Sequence, residues 1–316
     1  MALPTQTLAT YTAIGNREDL SDVIYRVDPT DTPFLSGSAK VKASHTLHEW
    51  QTQTLATAIT TNSVLEGNDA VTDETTETVR LTNVCRIMDK VPRVTGTQQS
   101  MDSAGRSDEL AYQKVLKGLE LKRDMESTLL NNIAKSTGSA TTARVFGSVL
   151  SWIATNDSLD STSGVSPTGD GSDTRTDSSA QRAFTESLLK TTLQNCWTEG
   201  GNPDCIMVGA FNKQVMSSFV GRGTPFESTS AKKIVAVVDT YESDFGTMQV
   251  IPNRFMRARD CLVLEKKFWA LAYLRNMKTI QLAKTGDSER SQLICEFTLE
   301  SRNEKASGGV FDLTTS

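Results

Sequence analysis

The feature that most constrains the fold is residues 44–96, which read as two long strands rich in threonine and glutamine. The returning strand alternates between two kinds of side chain. Val79, Leu81, Cys85 and Ile87 fall on one face, and Thr78, Arg80, Thr82 and Arg86 fall on the other. The outgoing strand, residues 46–55, has few large apolar groups on either face. Because a two-stranded ribbon alone is marginal in water, we expect it to lie on another surface, namely a neighbouring copy of the chain.

The tip of this ribbon, residues 66–77, is strongly acidic. It contains Glu66, Asp69, Asp73, Glu74 and Glu77 and neither lysine nor arginine. These carboxylates repel their counterparts unless a basic surface faces them. We therefore predict that the tip meets basic side chains of the next subunit, for which the candidates are Arg80, Arg86, Lys122 and Arg123.

Bulk composition disfavours several classes of protein. A length of 316 residues allows about two domains, and a hydrophobic share of 37% favours small layers and extended arms over one large core. A net charge of −5 disfavours a protein that grips nucleic acid, because such domains usually carry a basic surface. The amino terminus lacks a signal-peptide pattern, and no apolar run approaches the ~18 residues of a membrane helix. We predict a soluble protein made in a cytoplasm.

No arrangement of residues predicts catalysis or a bound cofactor. The only histidines, His45 and His48, are three residues apart on a predicted strand, so they point to opposite faces and are poorly placed to share a metal. The chain contains neither a G-x-S-x-G elbow nor a phosphate-binding glycine loop. Its five cysteines form no CxxC pair, which favours buried, reduced thiols. We predict no enzyme, and no catalytic, cofactor-binding or metal residues.

The amino-terminal residues predict an arm. A short helix is predicted from the helical spacing of four apolar residues, namely Leu20, Val23, Ile24 and Val27. Residues 28–29 (DP) are predicted to end this helix. Residues 31–35 then read as extended chain, because a residue before proline avoids the helical region. Within them Phe34 is predicted to anchor the arm.

The longest predicted helix covers residues 108–132, with Ser107 as its N-cap. It carries two apolar stripes, which indicates that it packs on two things. The first stripe consists of Tyr112, Val115, Leu116, Leu119, Leu130 and Ile133, and the second consists of Leu121, Met125 and Leu129. Lys122, Arg123 and Glu126 lie within the arc of the first stripe. They either pair with one another on a solvated face or contact a neighbouring subunit.

The second half of the chain predicts a flexible loop and then a compact α/β unit. Residues 155–180 are rich in serine, threonine, aspartate and glycine, which is typical of a flexible loop. A helix at 185–198, a buried strand at 205–208 and a helix containing Phe211, Val215, Met216 and Phe219 follow. Further strands are predicted at 234–240, 248–251, 261–265 and 268–274, with a hairpin turn at 244–246. The last strand, 293–299, alternates most clearly, and its polar face consists of Gln292, Glu296, Thr298 and Glu300.

Eight segments, in the same order along the chain, resemble one protein family. They are EDLSDVI (18–24), DTPF (31–34), EWQT (49–52), VTGTQ (94–98), GLELKRDME (118–126), YESDFG (241–246), LAKTGD (282–287) and EFTLE (296–300). On these segments the sequence resembles the major capsid proteins of tailed bacteriophages with the Hong Kong 97-type fold. The resemblance spans most of the chain.

This resemblance implies an α+β fold in five parts. They are an N-terminal arm (1–43), an extended β-ribbon loop (44–96), a peripheral domain with a long spine helix and a flexible loop (97–182), an α/β axial domain (183–275) and return strands of the peripheral domain (276–316). The implied role is structural: hexamers and pentamers tile an icosahedral viral head that encloses double-stranded DNA without sequence-specific binding. The negative charge fits this role, because packaged DNA must later be ejected. The expected location is the virion, after assembly in the host cytoplasm.

The resemblance also implies partners. These are further copies of the chain, a separate scaffolding protein, a portal protein and, in some shells, a decoration protein, but no membrane. Because family-like sequence begins by Glu18, we expect no scaffolding domain before it. Some shells of this fold are cross-linked through a lysine of the extended loop. Between Ala43 and Asp89 this chain has no lysine, so we expect no such cross-link.

Two other structural roles are weighed against the viral head. A bacterial nanocompartment shell has the same fold and is the main alternative. A threonine-rich fibre would explain the polar ribbon, but not the two-striped helix or the α/β unit.

Overall fold

The computed structural model describes residues 10–11, 14, 23–69, 75–219 and 239–315. The α-helices are α1 (Pro33–Gly37), α2 (Gly96–Ser100), α3 (Glu109–Leu129), α4 (Val149–Trp152), α5 (Glu186–Thr198) and α6 (Ala210–Ser217). The strands are β1 (Ala39–Lys42), β2 (Leu47–Thr52), β3 (Val79–Val84), β4 (Arg86–Lys90), β5 (Arg93–Thr95), β6 (Asp157–Ser158), β7 (Cys205–Val208), β8 (Thr240–Ser243), β9 (Gly246–Pro252), β10 (Cys261–Leu264), β11 (Trp269–Gln281), β12 (Ser288–Ser301) and β13 (Gly308–Val310). Helices and strands alternate irregularly, as in an α+β fold.

The described strands form two sheets and a separate ribbon. The five-stranded sheet has the order β1-β11-β12-β4, with β5 also paired to β12. The six-stranded sheet has the order β6-β13-β10-β7-β9-β8, and β2 pairs with β3 alone. Three short strands, β1, β6 and β13, join sheets whose longer strands lie far from them in the sequence.

The five-stranded sheet is built on the long antiparallel pair of β11 and β12, and α3 packs against it. Leu121, Met125 and Leu129 are at most 1% exposed and share one core with the apolar residues of β12. The Cys295 thiol of β12 lies 3.9 Å from the Met125 sulfur. The second predicted stripe of the helix therefore faces the sheet.

Helix α3 starts one residue later than its predicted cap. Asp108, and not Ser107, is the N-cap, and its carboxylate accepts a hydrogen bond from the Ala111 amide. The hydrogen bonds from Ala111 and Gln99 lower the pKa of Asp108 below its usual value. The helix ends at Leu129.

Strand β12 is buried on its polar face as well as on its apolar face. Glu296 is 3% exposed and Glu300 is 9% exposed. Arg144 Nη2 and Arg275 Nε each lie 2.7 Å from a Glu296 oxygen, so the charge of Glu296 is paired. The predicted alternation is present, but side chains from other parts of the chain cover its polar face.

The prediction of extended chain at residues 31–35 was also wrong, because α1 begins at Pro33. The effect of proline falls on Thr32, whose backbone stays outside the helical region (φ −127°, ψ 76°). Proline itself suits the first turn, where no amide hydrogen is needed. The anchor role of Phe34 is confirmed, since its side chain is 2% exposed and its ring lies edge-on to Trp269.

The predicted α/β unit is present around the six-stranded sheet. Helices α5 and α6, strands β7 and β10 and the hairpin of β8 and β9 lie where the pattern places them. The predicted strand at 234–240 falls almost entirely within residues 220–238, outside the described residues. Residues 155–180 are not a loose loop, because β6 pairs with β13 and Arg175 is 2% exposed.

All five cysteines are free and buried, as predicted. Burial raises the pKa of the Cys85, Cys205 and Cys295 thiols to about 11 and that of Cys196 to about 12. Burial also raises the pKa of Cys261. The thiols are therefore protonated at neutral pH and behave as small apolar groups.

Candidate assembly surfaces

The base of the ribbon packs on its own subunit. Strands β2 and β3 pair in register from Leu47↔Val84 to Thr52↔Val79. The Trp50 indole donates a hydrogen bond to the Ser301 carbonyl at 2.7 Å, and its ring centroid lies 5.3 Å from that of Trp152. For this part of the ribbon, the expectation that only a neighbouring copy covers it was wrong.

Asn83 fixes the position of the returning strand. Its amide nitrogen donates to the carbonyls of Gly147 (3.1 Å) and Leu299 (2.7 Å), while its oxygen accepts from the amides of Gly147 and Val84 at 2.9 Å. The side chain is fully buried, and its polar atoms all find their hydrogen-bond partners within the subunit.

The predicted face of the returning strand ends at Cys85. Cys85 is buried between β3 and β4, but Ile87 is 46% exposed while Met88 packs against the core. The alternation changes phase because β3 pairs with β2 in the ribbon, whereas β4 pairs with β12 in the five-stranded sheet. Ile87 was therefore assigned to the wrong face.

Beyond Thr52 the ribbon is uncovered. Residues 53–69 and 75–78 have no regular strand or helix. Their large apolar side chains are exposed, namely Leu55 (97%), Ile59 (71%), Val64 (69%) and Leu65 (83%). Glu66, Asp69 and Glu77 are exposed beside them, while Asp73 and Glu74 lie outside the described residues. Soluble monomers rarely keep so many neighbouring apolar groups in water, so this segment is a candidate contact surface.

The amino-terminal arm lies along the first apolar stripe of α3. Residues 23–32 contain no helix, so the helical prediction was wrong from Val23 to Val27; residues 15–22 lie outside the described ranges. Tyr25 is 85% exposed and Val27 is fully exposed. Five arm residues between positions 24 and 30 line a shallow cavity of about 330 Å³ together with Tyr112, Leu116 and Leu119. The stripe is thus only partly covered, and Val115 remains 64% exposed.

Glu126 joins three parts of the chain from a fully buried position on α3. Its Oε1 accepts hydrogen bonds from the Phe34 amide (2.9 Å) and the Asn253 side chain (2.6 Å), and its Oε2 accepts one from the Leu35 amide (2.7 Å). Burial raises the pKa of Glu126, and these three donors counteract that effect. Among the described residues no lysine, arginine or histidine pairs with it.

Both alternatives for Glu126, a solvated pair and a contact with a neighbouring subunit, were therefore wrong. A signal was present in the sequence. Glu126 is seven residues after Leu119 and four before Leu130, so helical spacing places it between apolar side chains. The amides of α1 then supply what the buried carboxylate needs.

The basic candidates for meeting the acidic tip have different surroundings. Arg80 lies 3.8 Å from Glu49 of the same ribbon, and the Arg123 guanidinium lies 5.6 Å from the centroid of the Phe255 ring. Burial lowers the pKa of Arg86, although Asp124 counteracts this. Lys122 is exposed.

Lys122 lines a groove of about 630 Å³ between α1, β1, α3 and β11. Lys40 and Lys42 of the edge strand β1 also line it, and Leu35, Tyr273 and Met277 supply apolar surface. No acidic side chain is among its lining residues. We call it the lysine groove.

The two histidines have separate partners. His48 Nε2 lies 3.0 Å from Glu300 Oε2, while His45 Nδ1 accepts a local hydrogen bond from the Leu47 amide. Burial raises the pKa of Glu300, but hydrogen bonds from His48 and Arg302 outweigh it and lower that pKa overall. In the described ranges no group of three or more His, Cys, Asp or Glu side chains is placed to hold a metal ion. No helix there is long and apolar enough to cross a membrane.

Sequence comparison gives two matches over nearly the whole chain. Residues 4–314 match the family described as SU10 major capsid protein. The major capsid protein of Escherichia phage Phieco32 is 30% identical over 349 residues, an alignment that covers 98% of each chain.

Solved structures share the fold at low sequence identity. A chain from Gordonia phage Cozz has a TM-score of 0.63 at 10% identity and covers 99% of this chain and 98% of that one. A chain from the capsid of a native GTA particle has a TM-score of 0.62 at 8% identity, with 96% and 97% covered. A chain from Mycobacterium phage Cain has a TM-score of 0.61 at 11% identity, with 95% and 96% covered.

These matches agree with the two sheets, the long helix and the projecting ribbon. The structural likeness confirms the predicted Hong Kong 97-type α+β fold. The sequence matches confirm the role and favour the viral head over the nanocompartment alternative. The chain belongs to the SU10 major capsid protein family and is a virion component, the major capsid protein of a tailed bacteriophage.

Proposed function

We propose that the chain assembles into hexamers and pentamers of an icosahedral head around double-stranded DNA, and that each ribbon is completed by a neighbouring copy. The observation that carries this proposal is the exposure of Leu55, Ile59, Val64 and Leu65 on the ribbon beyond Thr52. The subunit's own core covers the ribbon base but not this segment. A repeated contact between copies would bury these side chains at every position in the shell.

The lysine groove is the surface that we assign to the neighbour's ribbon. Residues 53–78 contain no lysine or arginine, and their acidic and apolar side chains lie close together in the sequence. The groove offers the opposite charge beside apolar surface, through Lys40, Lys42 and Lys122 with Tyr273 and Met277. Complementary charges of this kind fix register more than they add affinity.

The proposed arrangement of domains within the subunit follows the family layout. We assign the five-stranded sheet with α3 to the peripheral domain, the six-stranded sheet to the axial domain, and the part of residues 44–96 that precedes β4 to the extended loop. Strands β4 and β5, at the end of that range, and β11, at the end of the predicted axial range 183–275, then belong to the peripheral sheet. The short strands β6 and β13 then belong to the axial sheet and β1 to the peripheral sheet. The role is structural and not enzymatic, and assembly takes place in the host cytoplasm.

A separate scaffolding protein, a portal protein and a decoration protein are the proposed partners beyond the chain itself. Support comes from similar structures. The satellite phage P4 procapsid includes a size determination protein, and the phage G major capsid proteins were solved with decoration proteins. Those partners belong to those particles. For this chain they indicate the kind of protein to test.

A truncation of the outer ribbon tests the proposal. Replacing residues 54–77 with a short Gly-Ser turn keeps the pairing of Thr52 with Val79 and keeps Trp50 on the core. Changing loop length alters closure entropy by only ~0.6 kcal/mol per doubling. We therefore expect wild-type thermal unfolding, but loss of capsomers and shells in sedimentation velocity and electron microscopy.

A full-length control separates packing from loop length. It replaces Leu55, Ile59, Val64 and Leu65 with serine and should lose assembly as the truncation does. Closed particles from both variants would refute the assembly role of the outer ribbon. Unfolding of the truncated chain at a clearly lower temperature would show instead that the segment supports its own subunit.

A further inference from the structure

A partly buried network of charges ties residues 155–182 to the six-stranded sheet. Arg175 Nη1 lies 2.7 Å from Asp157 Oδ2, and its guanidinium lies 3.5 Å from the centroid of the Phe311 ring. Arg257 Nη2 donates to both Asp177 oxygens at 2.6 Å. Arg259 Nη2 lies 2.7 Å from Asp312 Oδ1. Three elements meet here: the segment 155–182, the turn before β10, and the chain after β13.

The network holds one more carboxylate than it holds guanidinium groups. Its cations are Arg175, Arg257 and Arg259, and its acids are Asp157, Asp177, Asp260 and Asp312. Arg182 and Asp160 lie next to the network and add one charge of each sign. The excess of one negative charge therefore remains. Arg175, Asp260 and Asp312 are at most 2% exposed, so little water screens the charges around them.

Asp260 is the acid that this arrangement leaves over. It is 1% exposed, and neither of its carboxyl oxygens has a hydrogen bond among the described residues. Its Oδ2 is 3.2 Å from Arg257 Nε, but that guanidinium already donates to Asp177. By contrast, Asp312 accepts from Ser178, Arg259 and Asp160. An ionised carboxylate without hydrogen bonds is costly in such a place.

We propose that Asp260 binds a proton in the folded protein and makes the attachment of residues 155–182 to the six-stranded sheet sensitive to pH. This attachment, which we call the joint, is tight when Asp260 is protonated and weaker when Asp260 is ionised. The charged groups that act on Asp260 are Arg257, Arg175 and Arg259, which favour its ionised form, and Asp177, which opposes it. Beside it, the buried Cys261 thiol stays protonated at neutral pH. The inference concerns the folded subunit and does not depend on how copies assemble.

The direction of the pH effect follows from the shift. Burial is the largest cause and raises the pKa of Asp260 from 3.8 to about 7, against the arginines. The folded protein therefore holds this proton more tightly than the unfolded chain does. The stabilisation is complete below pH 3.8 and is lost as the pH rises to about 7. The physiological range thus includes the upper end of this window.

The test compares the full-length chain with D260N between pH 5.5 and 8.5, values that bracket the upper end of the window. Asparagine keeps the size of the side chain but has no charge to lose. We expect the wild-type melting temperature to fall by at least about 2 °C relative to D260N as the pH rises across this range. At pH 8.5 the variant should be at least as stable as the wild type.

A matched control removes a paired acid from the same network. D177N deprives Arg257 of both of its hydrogen bonds, so it should lower the melting temperature at every pH. Its slope should be no steeper than that of the wild type, because Asp177 opposes the ionisation of Asp260. Equal slopes for wild type and D260N would overturn the proposal. So would a D260N variant that is destabilised at every pH as D177N is.

A measurement on the wild type alone covers the case in which D260N does not fold. Hydrogen-deuterium exchange should show that peptides from 155–182 lose protection between pH 6 and 8.5, after correction for intrinsic exchange rates. Peptides from β11 and β12 serve as the internal reference. Uniform changes in both sets of peptides would refute a local, proton-controlled joint.

Discussion

Replacing Glu126 with alanine should release the amino-terminal arm from helix α3. The buried carboxylate accepts hydrogen bonds from the Phe34 and Leu35 amides and from the Asn253 side chain, at 2.6 to 2.9 Å. Alanine leaves all three donors without an acceptor, and Phe34 and Leu35 lie in the buried first turn of α1. The effect is therefore expected first in the arm and only then in the global stability.

The magnitude follows from the donors that lose their acceptor. A buried donor left unsatisfied costs about 1–3 kcal/mol. Removing the carboxylate also relieves the burial penalty that raises its pKa, which offsets part of this loss. We expect E126A to lower the free energy of unfolding by about 2–4 kcal/mol. E126Q should lose about 1–2 kcal/mol, because its carbonyl still serves Phe34 and Asn253 while its amide opposes the Leu35 amide.

The assay is urea unfolding followed by circular dichroism, together with hydrogen exchange of residues 33–38. The matched control is E120Q on the same helix. Glu120 is partly exposed and pairs with Lys117 at 2.8 Å, so its loss should cost below about 1 kcal/mol. If E126A and E120Q unfold at the same urea concentration, the buried carboxylate does not hold the arm and the reasoning fails.

Three further predictions concern other parts of the subunit. N83L should lower the free energy of unfolding by about 2–4 kcal/mol in urea, because the Gly147 amide loses its acceptor, the Leu299 carbonyl loses the Asn83 donor, and the Gly147 carbonyl keeps only the Trp152 indole; a loss under about 1 kcal/mol would contradict this. Reversing Lys42 and Lys122 to glutamate should reduce shell formation more at low than at high ionic strength, whereas K190E on the exposed face of α5 should not; a defect independent of salt would indicate packing instead of charge. A thiol reagent at pH 7 should label none of the five buried cysteines until urea is added, and rapid native labelling would contradict their assigned burial.

The sequence by itself determined the elements that repeat locally. The spacing of Leu121, Met125 and Leu129 set the face of α3 that lies on the sheet, and alternation identified β12. Helix α5 and the hairpin after β8 were equally readable, since caps, glycines and turn residues act within a few positions. The order of eight short segments identified the family. Periodicity and turn chemistry are properties of neighbouring residues, so one chain is enough to read them.

Only the tertiary structure decided which distant partners satisfy the buried polar side chains and where the ribbon lies. Glu126 is buried because donors 91 to 127 residues away reach it, and Glu296 is buried because Arg144, 152 residues earlier, pairs with it. Trp50 likewise finds its acceptor on Ser301, at the far end of the chain. A charge or an amide can be buried only where distant partners satisfy it. Those partners are chosen by the folded topology, and no local pattern of residues specifies them.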